Sequence, residues 1–129
     1  MSSIDDLIPT IKAFRPFLPA KDYDTSFRFY QAIGFHAHPL GDALAELSLG
    51  GNAFLLQGYY VKEWAENMMM HVLVEDVQQW WKHIEPLDLA SKFGVKPPTA
   101  PRIEPWGLTV AYVWCPSGVL WHFAQQTKS

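Results

Sequence analysis

Two histidines, His71 in the run MMMHVLVE and His122 in the run PSGVLWHF, carry the side chains best suited to proton transfer or metal ligation near neutral pH. Pro116 and Gly118 make Cys115 to Gly118 a type I turn that feeds a strand. Period-two alternation along that strand puts Leu120, His122 and Ala124 on one face and Val119, Trp121 and Phe123 on the other. The bulky set takes the core, so His122 looks elsewhere. Taken alone, it reads as a half-buried strand histidine satisfied by a backbone carbonyl. The same alternation places His71 with Met69 and Leu73, Arg15 with Phe17, and Tyr112 with Trp114. No carboxylate at helical or strand spacing orients either histidine, which weakens a general-base reading. Cys115 has no partner cysteine, so it gives neither a disulfide nor a metal-ligand spacing, and it reads as a turn residue.

These side chains need a scaffold, and the sequence describes one. Residues 11 to 19 (IKAFRPFLP) read as a strand with an edge position suggested by Pro16 and Pro19. Asp22 then opens a helix in which Tyr23, Phe27 and Tyr30 share a face, and Gly34 closes it. Three short strands follow at about 35 to 40, 43 to 49 and 52 to 58, separated by Gly41 and by Gly50-Gly51-Asn52. The order then recurs. MMMHVLVE is a strand, Asp76 opens a helix, and Val77, Trp81 and Ile84 repeat the spacing of the first helix at a constant offset. The stretch KPPTAPRIEPWG is loop or extended edge, and residues 107 to 114 and 118 to 125 form a closing hairpin. The expectation is an α+β fold of two βαβββ modules, about 11 to 58 and 68 to 125, within one domain spanning 1 to 129.

Composition narrows the function. With 129 residues, 49 % of them hydrophobic, the chain can bury a sizeable core. The net charge of −3 has no basic run behind it, which argues against a nucleic-acid track or a polybasic membrane patch. The N-terminus MSSIDDLIPT carries two aspartates and no long apolar core, so no secretory signal is expected and the cytoplasm is the default location. No segment has the length of apolar sequence a membrane span requires. Aromatic residues are plentiful, and most of them are core material.

The stretches LPAKDYDTSFRFYQAIGF, HVLVEDVQQWW and EPWGLTVAYVWCPSGVLWHFAQ resemble the glyoxalase/bleomycin-resistance superfamily, also called vicinal oxygen chelate proteins. The most specific elements are Asp22, Ser26, Phe29, Tyr30, Gly34 and Phe35 in the first helix region, and Pro-Ser-Gly before the last strand. The resemblance implies a mixed sheet curled around a cleft, helices outside, and a homodimer. It also implies a divalent metal held at the positions that here are Arg15, Leu55, Met69 and His122. Those four are a cation, an alkyl, a thioether and an imidazole, and a guanidinium cannot serve as a ligand. A shifted site of His71 and His122 with Glu46 is an alternative, although His71 lies roughly 6.5 Å along the strand from the family position at Met69.

The expected function is therefore metal-free and cofactor-free binding of a small aromatic or heteroaromatic molecule, of the bleomycin-resistance type. Tyr112, Trp106 and Met69 would give contact area, and Arg15, His71 and His122 polar orientation. The alternative is a lyase, isomerase or metal-dependent enzyme of the same superfamily that works through His122 or His71.

Overall fold

The computed structural model describes residues 3–127. A short helix α1 (Ile4–Leu7) precedes strand β1 (Phe17–Pro19), helix α2 (Tyr23–Ile33), and strands β2 (His36–Gly41), β3 (Leu44–Leu49) and β4 (Asn52–Gln57). Helix α3 (Lys62–Glu66) bridges to β5 (Met69–Leu73) and α4 (Val77–Ile84). Then come α5 (Leu89–Phe93) and strands β6 (Thr99–Ile103), β7 (Leu108–Trp114) and β8 (Leu120–Gln126). The strands form two four-stranded mixed sheets, ordered β1-β4-β3-β2 and β5-β8-β7-β6, that do not close into a barrel. The repeat expected from the helix registers is thus a repeat of sheet topology.

Local chemistry explains the helix ends. Asp22 caps α2 by accepting from Thr25 N, and Asp76 caps α4 by accepting from Gln78 N and Gln79 N. Gly34, at φ 128°, ends α2 in a conformation closed to side chains with a Cβ. The two modules are joined by shared polar contacts. Ser117 Oγ in the last turn accepts from Lys21 N while lying 3.4 Å from Ser26 Oγ, and within the second module Val77 N at the start of α4 donates to Gln125 Oε1 on β8.

One face of each sheet is buried under the helices. Leu18, Leu47, Phe54 and Leu56 of the first sheet and Ala111, Val113, Trp121 and Phe123 of the second form a single core with Phe29, Tyr30, Ile33, Val77 and Ile84. Tyr30, Phe35, Phe54 and Trp121 pack tilted or edge to face at its centre, with the Trp121 indole N–H donating to the Tyr30 hydroxyl at 3.1 Å. Each such ring contributes roughly 1.5–3 kcal/mol by burial. The opposite faces carry Arg15 and Glu46, or Met69 and His71, toward the surface, and that of the second sheet also holds a small buried cluster of Val110, Tyr112 and Ala124.

Three elements differ from the sequence reading. The first strand is not residues 11 to 19 but only Phe17–Pro19, because the segment before it makes no ladder beyond the bond from Leu55 N to Pro16 O. Proline at 16 removes a donor there. The linker 59 to 67, without an assignment from sequence, holds α3, whose Ala65 is fully buried. The stretch after α4, without any assignment from sequence, continues through a 3-10 turn (Glu85–Leu87) into α5, anchored by Leu89.

Candidate functional site

The parallel pairing of β5 with β8 puts His71 directly opposite His122 and Met69 opposite Leu120. The antiparallel pairing of β7 with β8 puts Tyr112 on the other side of His122. Four side chains from three strands consequently meet on one face. The rings of His71 and His122 have centroids 6.1 Å apart, those of Tyr112 and His122 4.9 Å apart at 72°, and His122 Nε2 lies 3.3 Å from Met69 Sδ. Exposure rises across the group: Tyr112 is buried, His122 half-buried, and Met69 and His71 exposed. Tyr112 is accordingly a floor of the site more than a wall.

A carboxylate that strand spacing did not reveal completes this group. Glu104 follows β6, is 7 % exposed, and accepts an ion-pair hydrogen bond from Arg102 Nε. Arg102 in turn lies over the Tyr112 ring, 5.7 Å from its centroid. Burial lowers the His122 pKa, repulsion from His71 adds to that, and Glu104 opposes both. Burial raises the Tyr112 pKa, with Glu104 acting in the same direction and Arg102 against it. At neutral pH the face thus offers a neutral imidazole and a protonated phenol. The sequence signal for Glu104 was thin: two residues after Arg102, within a proline-rich stretch read as loop or edge.

The remaining expected residues sit elsewhere. Arg15 pairs with Glu46 at 2.9 Å on the outer face of the first sheet, where Glu46 lies opposite Leu55 and His38 in the ladder. Trp106 stands at the tip of the β6–β7 hairpin, where Gly107 O accepts from Thr127 N. That is level with Thr127 just past β8, roughly 17 Å along the strand from His122. The structure therefore brings together Met69, His71, Tyr112 and His122 and leaves Arg15 and Trp106 apart from them.

A groove of about 690 Å³ runs between the two modules, within the size range of small-molecule sites. Phe14 and the hairpin 49 to 54 form one wall, and β5, including His71 and Leu73, forms the other. Phe35, Phe54, Trp80 and Trp121 line its interior. The aromatic lining comes from edges of core residues, not from the loop aromatics the sequence suggested. Because β5 is the outermost strand of its sheet, one side of its backbone borders this groove without a strand partner.

Comparison with solved structures resolves the architecture. A bleomycin-binding protein complexed with bleomycin superposes with a TM-score of 0.75 at 20 % identity, over 90 % of this chain and 99 % of that one. The chain has the fold of the glyoxalase/bleomycin-resistance superfamily. A bleomycin resistance determinant encoded on the transposon Tn5 gives 0.69 at 19 % identity, covering 90 % of this chain and 98 % of that one. The lactoylglutathione lyase of Agrobacterium tumefaciens gives 0.63 at 18 %, covering 89 % and 94 %. No protein-family model and no curated protein matches the sequence. The fold family's divalent metal does not fit the residues present. Arg15 is committed to Glu46, Leu55 has no donor atom, and among the described residues no three His, Cys, Asp or Glu side chains are gathered to hold an ion. None of the described helices is long and apolar enough to cross a membrane.

Proposed function

We propose that this protein binds a small aromatic or heteroaromatic molecule between its modules and sequesters it, as a homodimer and without a divalent metal. One observation carries the reading: the groove is lined by aromatic rings and opens at His71, beside His122, while the family's ligand positions hold side chains that cannot chelate a hard ion. Planar ligands gain about 0.5–1.5 kcal/mol per ring contact, and the His71 imidazole in the groove wall offers polar orientation. The homodimer is supported by exposed apolar side chains of the first sheet outside the groove, with Phe17 at 47 % and Leu40 at 51 %. That a fold neighbour was crystallised with bleomycin supports ligand binding in this architecture.

Fluorescence titration tests it. Trp80 and Trp121 report from the groove, and a panel of planar aromatic and heteroaromatic compounds, bleomycin included, should give saturable quenching with no product on prolonged incubation. Absence of response at millimolar ligand counts against the proposal. A second reading, acid–base catalysis at His122, gains from buried Glu104, which supplies the carboxylate that strand spacing did not reveal. Turnover abolished by Glu104→Gln with ligand binding retained would select that reading.

A further inference from the structure

Met69, His71 and His122 place a thioether and two imidazoles on adjacent positions of β5 and β8, with no carboxylate of their own. We propose that these three side chains form a binding site for a soft monovalent cation, copper(I). The donor set decides the class of metal. Thioether sulfur selects copper(I), whereas hard cations require several oxygen ligands, and the nearby carboxylate, Glu104, is engaged by Arg102.

The geometry is close to that of a three-coordinate site. An ion about 2.0 Å from an imidazole nitrogen and about 2.3 Å from sulfur, at a trigonal angle, sets N and S roughly 3.7 Å apart. The distance from His122 Nε2 to Met69 Sδ is 3.3 Å. Two imidazoles bound to one ion have centroids roughly 5.5 Å apart when trigonal and 6.3 Å when linear. The His71 and His122 centroids are 6.1 Å apart. Only Met69 of the run Met68-Met69-Met70 can take part, since Met68 and Met70 pack against the core. Strand alternation thus supplies one sulfur, and the parallel register supplies both nitrogens.

The competing soft donor in the chain is Cys115, which lies 3 % exposed on the core side of the second sheet. Its burial pushes the thiol pKa up, so a thiolate there is disfavoured. The proposal does not depend on the small-molecule reading, because metal can be titrated without organic ligand and organic ligand without metal.

The test is an anaerobic titration of the full chain with copper(I) in reducing buffer, in competition with bicinchoninate. One equivalent per chain is expected. Met69→Leu and His122→Gln, both at surface-accessible positions, should each weaken it by at least about tenfold, the loss typical even of a residue that only supports a ligand. Cys115→Ala should retain the site, and a tenfold excess of zinc(II) should not displace the copper. No binding, binding unaffected by Met69→Leu, binding lost in Cys115→Ala, or displacement by zinc would each overturn the assignment. Silver(I), which does not change oxidation state, should shift the Met69 methyl resonance and the His71 and His122 ring resonances together. Shifts confined to other residues would also overturn it.

Discussion

Tyr112 and His122 face each other across the β7–β8 ladder, ring against ring at 4.9 Å and 72°, with the phenol buried and the imidazole half-buried. The pair sets the His122 ring between Tyr112 and His71, so its orientation is fixed by packing and not by a single hydrogen bond.

Tyr112→Leu removes that edge-to-face contact, worth about 0.5–1.5 kcal/mol. If His122 orients a ligand, the variant should bind the best compound of the fluorescence panel roughly 2- to 12-fold more weakly while remaining folded by circular dichroism. Unchanged affinity would remove the pair from the binding site.

The Arg15–Glu46 ion pair lies at the surface, where such pairs contribute about 0–1 kcal/mol. Glu46→Gln should therefore shift the denaturation midpoint little. Arg15→Met should also leave stability nearly unchanged and, because Arg15 does not line the groove, leave affinity for the panel compounds unchanged. A loss of affinity for neutral compounds would show that Arg15 acts through the fold.

Tyr30 is fully buried and accepts from the Trp121 indole. Tyr30→Phe leaves that N–H unpaired, a cost of about 1–3 kcal/mol measurable by urea denaturation. The hydroxyl does not line the groove, so ligand affinity should persist at temperatures where the variant is folded.

Alkaline pH should destabilise the protein through two buried acids. Burial pushes Tyr30 well above its ordinary value of 10.0 and raises Cys115 above its ordinary 9.0. Groups with raised pKa contribute stability that is complete below their unfolded values and is lost as pH climbs toward their folded ones. Stability should consequently hold below about pH 8.5 and fall above pH 9, at up to about 1.4 kcal/mol per pH unit for each group. Cys115→Ala should soften the onset. An unfolding free energy independent of pH from 8 to 10.5 would contradict this.

A homodimer built on the outer sheet faces should dissociate when Phe17 is replaced by Asp, with a change in sedimentation and loss of concentration-dependent stability. A wild-type chain that sediments as a monomer at high micromolar concentration would remove the dimer from the proposal.

Much of the scaffold was legible because its signals are local. Asp22 and Asp76 cap helices within three residues of themselves, Gly34 breaks one, and the alternation from Val119 to Ala124 assigns faces without reference to any other strand. The first strand was overextended because the apolar residues before Pro16 mimic a strand while contributing no ladder. Helix α3 escaped notice because its five residues are stabilised by docking Ala65, not by sequence periodicity.

The site divides along the same line. Sequence determined that His71 and Met69 share a face and that His122 turns away from Trp121, since period-two geometry is a property of each strand alone. Only the tertiary structure decided that His71 stands opposite His122, that Glu104 lies near both Tyr112 and His122, and that Arg15 pairs with Glu46 instead. Those relations depend on the register between strands far apart in sequence, which the shared core fixes by burying Trp121 and Phe123 beneath the helices.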